Sequence, residues 1–273
     1  PPGESEIMGL ECAGEIVDAG DTDRQVGEKV ACLLAGGGYA EYVAVPAGQL
    51  LPIPEGYSYE QVAAVVEVAA TVWSNLGMLT GLAAGQTVLI HGGAGGIGTF
   101  AIQLAKHLGA QVAVTAGSVE KLEACRRLGA DILINYREEN FADVLKNRCD
   151  RILDIIGAKY LDQNVTALAP DGHMVIIGMQ GGVKGELNIG KLLAKRGTIS
   201  ATALRARSHD DKARIVADTI KHVWPLLADG TITHQLHATL PLADAARAHE
   251  LLRSGAVTGT LVLNVCSNEA SKG

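Results

Sequence analysis

The run Thr87-Val88-Leu89-Ile90-His91 leads into Gly92-Gly93-Ala94-Gly95-Gly96-Ile97-Gly98-Thr99. Its first part is short, apolar and β-favouring. After the glycines, Ile97, Ala101, Ile102, Leu104, Ala105 and Leu108 recur at helical spacing. The stretch predicts strand, tight turn, helix. Gly93, Gly95 and Gly98 satisfy G-x-G-x-x-G in that context: the first permits the turn, the second lets backbone N–H groups approach a pyrophosphate, and the third lets helix and strand pack closely. Phosphates would sit at the positive end of the helix, against the backbone of Ala94, Gly96 and Ile97, where unpaired N–H groups point outward. In a chain with 33 glycines an isolated match means little, so the flanking strand and helix carry the assignment.

The adenosine ribose of a dinucleotide is read at the tip of the next strand. An acidic residue about twenty positions beyond the glycines would bind the 2′-OH of NAD, whereas a neutral or basic tip accepts the 2′-phosphate of NADP. That position reads Ala116-Gly117-Ser118-Val119-Glu120-Lys121. Gly117 is small, Ser118 offers a hydroxyl, Lys121 brings an ammonium one turn into the helix, and Tyr136 supplies a donor from the loop after the third strand. The tip favours NADPH over NADH. In the alternative reading Ser118 is an N-cap and Lys121 a solvated helix residue, and Glu120 counts against a phosphate.

The elements around these loops alternate. Strands are expected at 112–115, 132–135, 152–156, 174–177 and 197–204, and helices at 119–128, 138–146 and 161–168, the last stopping at Pro170. Near-continuous apolar strands in strict turn with helices imply a parallel sheet covered on both faces, an α/β Rossmann arrangement. Before it, strands are expected at 11–20, 28–34 and 39–45, half of a β-barrel or sandwich, with a stiff exit through Pro52 and Pro54 and a helix from the N-cap Ser58 towards Leu76. After it come helices at 212–227 and 242–253, strands at 234–240 and 260–265, and a frayed tail from 268. The expected domains are 67–206 for the nucleotide-binding part, and 1–66 with 207–273 for the β-rich part.

Composition sets outer limits. Of 273 residues, 48% are hydrophobic and 19% charged, which is globular usage, and the net charge of −7 argues against a protein built to coat nucleic acid or an anionic membrane. No run of about eighteen consecutive apolar residues is present, and no signal peptide opens the sequence. The cysteines are scattered without C-x-x-C, so no disulfide framework or zinc knuckle is indicated and a reducing cytoplasm is expected. Pro1-Pro2-Gly3 lacks an initiator methionine, and a preceding segment is expected. There is no G-x-S-x-G, no G-K-[ST], no Tyr-x-x-x-Lys and no H-E-x-x-H. His91 reads as a structural histidine at a strand end.

Val26-Gly27-Glu28-Lys29-Val30, Gly38-Tyr39-Ala40-Glu41-Tyr42, Leu51-Pro52-Ile53-Pro54-Glu55-Gly56, the loop 92–98 and the segment 242–263 occur in that order. Together they resemble the medium-chain dehydrogenase/reductase superfamily, in its zinc-free, zeta-crystallin-like quinone oxidoreductase branch. The resemblance covers essentially the whole chain. It implies a Rossmann doubly wound parallel sheet inserted in a partial GroES-like β-rich substrate domain, and a homodimer through Rossmann edge strands, with 197–204 the candidate edge. It places Thr71 close to the nicotinamide as the catalytic position. Gly178, Met179 and Gln180, with Leu204 and Arg205, would border the other side of the cofactor. Relatives carry polar and tyrosine residues facing the substrate in a segment that would precede Pro1, so the catalytic set shown here is incomplete.

Departures from the zinc alcohol dehydrogenases shape the expected chemistry. Those enzymes carry Gly-His-Glu where this chain has Gly9-Leu10-Glu11, and Glu67 falls near their last zinc cysteine. Leu10 has no lone pair, so no metal site of that geometry is expected. Without a Lewis acid an alcohol is hard to ionise, whereas a quinone or enone is already electrophilic. The expected reaction passes hydride from NADPH to a quinone, the protein contributing orientation and desolvation. An enoyl or alkenal double-bond reductase, or a cofactor-binding protein with little catalysis, are the alternatives.

Overall fold

The computed structural model describes residues 3–265, and the expected tail from 268 lies outside them. The chain divides into two compact units. One runs up to Thr71 and resumes at Leu204; the other is Val72–Ala203.

The first unit opens with β1 (Glu11–Glu15), β2 (Lys29–Leu33) and β3 (Leu50–Pro52), an antiparallel sheet in the order β1-β2-β3. Val30, Cys32, Leu34 and Leu50 form its core, with Cys12, Ile16, Val43 and Val45 packed against it. The strand expected at 39–45 is not formed: these residues follow the triple-glycine turn without regular structure, and two of their valines are spent on packing rather than on a ladder. Pro52 ends β3, which among the described residues pairs with β2 alone, as an edge position allows. Ser58 then caps α1 (Tyr59–Ala63) in a reciprocal box with Gln61. The chain continues through α2 (Val66–Val72), where the two units meet in sequence, and a π-helical segment, Trp73–Leu79. The helical run Tyr59–Leu79 is long and apolar enough to cross a membrane, but 67% of its apolar window is buried inside the fold, as in a core helix.

The second unit is a six-stranded sheet with parallel pairs throughout. Its elements are β4 (Thr87–His91), α3 (Gly96–His107), β5 (Gln111–Ala116), α4 (Val119–Arg127), β6 (Ile132–Asn135), α5 (Phe141–Val144), β7 (Cys149–Asp154), α6 (Leu161–Ala167), β8 (Leu168–Ile176), α7 (Ile189–Ala194) and β9 (Thr198–Ala201). The order β6-β5-β4-β7-β8-β9 reverses direction between β4 and β7. This is the doubly wound Rossmann topology, whose ligand crevice lies at that reversal, beyond the carboxyl ends of the strands. Leu89, Ala113, Ile134, Ile152 and Met174 from five neighbouring strands are buried together with Phe141 and Leu145.

Two helices of this unit depart from expectation. The helix at 138–146 shrinks to α5, because residues 138–139 turn back onto Asn135 and Asn140 starts the helix as its N-cap. The helix at 161–168 ends at Ala167, and Pro170 lies inside β8, where the ladder to β7 is irregular and tolerates a residue without an N–H.

The first unit resumes with α8 (His209–His222), α9 (Trp224–Ala228), β10 (Leu236–Pro241), α10 (Ala245–Ser254) and β11 (Thr260–Asn264), with β10 and β11 parallel. The single helix expected at 212–227 is two: Pro225 falls in the first turn of α9 and the break comes at Val223. Trp224 Nε1 donates to the Pro52 carbonyl at 2.6 Å, tying α9 to β3.

Candidate functional sites in the two units

The turn between β4 and α3 is held shut by contacts only glycine permits. A Cβ on Gly93 would stand 2.8 Å from the Val114 Cβ, and one on Gly98 would stand 2.5 Å from the Gly93 Cα and run into the Gly92 carbonyl. Gly92 has φ +69° and abuts Ile155, the residue after β7, so the turn sits at the sheet reversal. Gly95 differs. It is the exposed N-cap of α3, and a Cβ there would meet only the Gly92 carbonyl, at 3.5 Å. The N–H groups of Gly96, Ile97 and Gly98 form the first turn of α3 and have no helical acceptor. Ala94 is buried in the turn. The geometry is an anion cradle with an open mouth.

Beyond β5, Ser118 caps α4: its Oγ accepts from Lys121 N at 3.3 Å. The capping role weighed in the sequence is therefore real, and it leaves the Lys121 ammonium as the stronger phosphate partner. Among the described residues no carboxylate pairs with that ammonium. Gly117 lies under the Tyr136 ring, its Cβ position 2.8 Å from Cζ and 3.4 Å from Arg137 Nε. Arg137 is exposed and was missed in the sequence, although its place beside Tyr136 was a usable signal. Gly117, Tyr136 and Arg137 thus meet at one strand tip, and Lys121 lies in the first turn of the helix that follows it.

The loops after β7 and β8 interlock. Gln180 N donates to the Ile155 carbonyl at 3.2 Å and Gly181 N to that of Ile156 at 2.7 Å, leaving Met179 exposed. Gly178 lies against Ile155, where a Cβ would meet its carbonyl at 2.7 Å. Beneath them Asp154 accepts from Ile156 N at 2.7 Å and from Asn164 Nδ2 at 3.2 Å, and Asn164 Oδ1 is 2.7 Å from His91 Nε2. His91 also meets Thr115 Oγ1 at 3.0 Å and is enclosed by Phe141 and Tyr160. Burial pushes its pKa down to about 4, so it is neutral and structural.

The first unit holds a different constellation. Thr71 Oγ1 donates to Glu67 Oε1 at 2.7 Å, and Glu67 N donates to Glu11 Oε2 at 2.7 Å. Burial, with Glu67 nearby, pushes Glu11 up to about 8; burial likewise raises Glu67. Arg205 Nε donates to the Ala35 carbonyl at 2.8 Å, and Leu204 is half-buried. Leu10 precedes this carboxyl pair, and among the described residues no group of three or more His, Cys, Asp or Glu side chains is placed to hold a metal ion. The donor set does not fit a zinc centre. The resemblance placed Glu11 next to one lost zinc-ligand position and Glu67 near another, but that the two are buried together only the fold discloses.

A glycine-packed anion cradle at the reversal of a parallel sheet in one unit, and a small GroES-like antiparallel sheet in the other, are the parts of a dinucleotide-dependent oxidoreductase of the medium-chain class. Residues 1–55 match the family described as alcohol dehydrogenase GroES-like domain, and residues 96–221 match that described as zinc-binding dehydrogenase. A quinone oxidoreductase of Pseudomonas aeruginosa is 33% identical over 270 residues, covering 96% of this chain and 83% of its own length. A 2-haloacrylate reductase of Burkholderia is 30% identical over 267 residues, covering 94% and 80%. The structure of Escherichia coli quinone oxidoreductase complexed with NADPH superposes with a TM-score of 0.83 at 29% identity, covering 93% of this chain and 82% of that one. The chain also matches polyketide synthases, 33% identical to a highly reducing one of Emericella nidulans, and spans only 11% of that protein. The chain belongs to the quinone oxidoreductase family of the medium-chain dehydrogenase/reductase superfamily.

Proposed function

We propose that this chain is an NADPH-dependent, zinc-independent reductase of quinones. The observation that carries the reading is the cradle at Gly93–Gly98: its packing glycines and the open Gly95 fit a pyrophosphate. Gly93, Ala94, Gly95, Gly96, Ile97 and Gly98 would hold the diphosphate. Lys121, Tyr136 and Arg137 beside Gly117 would take the 2′-phosphate, with Ser118 capping their helix. Gly178, Met179 and Gln180 in the second unit, and Thr71, Leu204 and Arg205 in the first, are the residues we assign to the nicotinamide end. NADPH supplies a hydride when bound. Thr71 and its Glu67 partner fix a hydroxyl in a water-poor pocket, and the anion cradle holds the phosphates without metal. Leu10, which cannot ligate, supports a reaction on an acceptor that is already electrophilic.

A second reading, reduction of an activated alkene, is favoured by the likeness to the 2-haloacrylate reductase. Both readings use the same cofactor residues. Stopped-flow NADPH oxidation against 1,4-benzoquinone and 2-methylcyclohex-2-enone separates them: faster single turnover with the quinone supports the first, and with the enone the second. β9 is an edge of the six-stranded sheet and the segment we assign to a homodimer contact; a monomer mass in light scattering would remove that assignment.

A further inference from the structure

The loops around the reversal of the six-stranded sheet rest on a line of buried polar side chains. His91 ends β4, Asp154 ends β7, Thr115 lies next to the end of β5, and Asn164 comes from α6. His91, Asp154 and Asn164 are 0% exposed and Thr115 1%, so water does not compete for the bonds among them.

The direction of each bond follows from the carboxylate. Asp154 accepts on both oxygens: Oδ1 takes Ile156 N at 2.7 Å and Gly157 N at 3.2 Å, and Oδ2 takes Asn164 Nδ2 at 3.2 Å. With its amide nitrogen turned to Asp154, Asn164 presents Oδ1 to His91 Nε2 at 2.7 Å, so Nε2 carries the imidazole proton. His91 Nδ1 is then an acceptor, and the Thr115 hydroxyl, 3.0 Å away, donates to it. The same hydroxyl oxygen accepts from Gly92 N at 3.4 Å. Burial keeps His91 neutral, as this pattern requires. Polar bonds therefore run unbroken from the first residue of the cradle to the loop after β7.

That loop carries the next one. Gly157 has φ +77°, and a Cβ there would stand 3.1 Å from the Gly178 carbonyl and 3.3 Å from the Met179 Cα. Ala158 N donates to the Gly182 carbonyl at 3.1 Å, beside the bonds from Gln180 and Gly181 to Ile155 and Ile156. The loop at 178–182 is thus seated on residues that Asp154 fixes.

We propose that Asn164 and Thr115 are positioning residues that set the register between the diphosphate cradle and the loop at Gly178, Met179 and Gln180. The inference rests on the reductase reading above, and all of its residues lie in the second unit. Apolar packing holds strands together without fixing one orientation, whereas a buried, partnered polar network specifies one arrangement. Hydride transfer needs the nicotinamide held in one place, and a small misplacement is costly. The network's contribution therefore falls on the part of NADPH beyond the diphosphate.

The test is Asn164→Leu in the full chain, which nearly keeps the volume and removes both amide bonds. Calorimetric titration compares NADPH with 2′-phospho-ADP-ribose, which has every phosphate but no nicotinamide. The wild type should bind NADPH at least about tenfold more tightly than the fragment. In Asn164→Leu the ratio should shrink to within about threefold, through weaker binding of NADPH. Thr115→Val should shrink it in the same way, and Thr115→Ser, which keeps the hydroxyl, should restore it. Lost stability alone would weaken both ligands equally and leave the ratio unchanged. An unchanged ratio in Asn164→Leu overturns the inference, as does a Thr115→Ser protein no different from Thr115→Val, or a wild type that binds both ligands equally. Each of these leaves the reductase reading intact. If Asn164→Leu does not fold, the two Thr115 variants decide. A wild-type protein that binds neither ligand overturns the reductase reading, and the positioning assignment with it.

Discussion

Gly98 and Gly93 stand so close that a Cβ at position 98 would lie 2.5 Å from the Gly93 Cα, backbone against backbone with no flexible side chain to yield. Gly98→Ala should therefore cost about 2–3 kcal/mol of stability by overpacking. Gly95→Ala meets only one carbonyl at 3.5 Å and should cost under about 1 kcal/mol. Yet its methyl group would enter the mouth of the cradle and should weaken NADPH binding by about tenfold or more. Urea denaturation and a fluorescence titration on the two variants separate packing from ligand approach.

Arg137 lies against Gly117 from the loop after β6, and Lys121 stands in the first turn of α4, four residues beyond it. Lys121→Ala should weaken NADPH by about tenfold while leaving NADH unchanged, since a charge-assisted hydrogen bond to the 2′-phosphate is worth about 1.5–3 kcal/mol. Arg137→Ala should act in the same direction, and the double variant should come close to equal affinity for the two cofactors. Competitive titration of each variant checks this; an unaltered NADPH preference in both would move the phosphate pocket elsewhere.

His91 gives the fold an acid limit. Its folded pKa is pushed down to about 4, whereas the unfolded imidazole titrates near 6.5. The unfolded chain therefore takes up a proton that the folded chain refuses. Stability from this residue is present above about pH 6.5 and is lost as pH falls towards 4, on the order of 3 kcal/mol in all. Chemical denaturation between those pH values should show this slope in the wild type. His91→Gln, destabilised at pH 7, should lack this component of it.

Glu11 acts in the opposite sense. Unfolded, it ionises near 4.5; folded, it holds its proton to about 8. Folding then becomes progressively more costly as pH rises from about 4.5 to about 8, by a few kcal/mol at most. Glu11→Gln removes that cost while its amide oxygen can still accept from Glu67 N. The variant's stability relative to the wild type should improve steadily with pH, and a pH-independent difference would contradict the burial of a protonated carboxyl.

What the sequence disclosed follows the range of the interactions. The strand, turn and helix around residues 87–107 are specified locally, by β-formers, close-packed glycines and an apolar helical stripe, and the structure places them as read. The Ser58 cap was legible for the same reason, whereas the short strand β3 ending at Pro52, read only as a stiff exit, was not. Residues 39–45 were not: their β-propensity is real, but a strand needs a ladder partner, and Val43 and Val45 bury their side chains without one. The helix break before Pro225 was a local signal passed over, because proline is as welcome in a first turn as it is hostile in an interior. The carboxyl pair of Glu11 and Glu67 and the contact of Tyr39 with His249 join residues 56 and 210 positions apart, and only the fold could disclose them.

The central claim is that the backbone amides of Gly96, Ile97 and Gly98 grip a diphosphate and the tip after β5 selects its 2′-phosphate. Calorimetric titration of the full chain with NADPH and then with NADH tests it most directly. The account predicts saturable one-to-one binding of NADPH, at least about tenfold tighter than NADH, in line with a charge-assisted phosphate contact. Absence of binding by either nucleotide, or a preference for NADH, would contradict it.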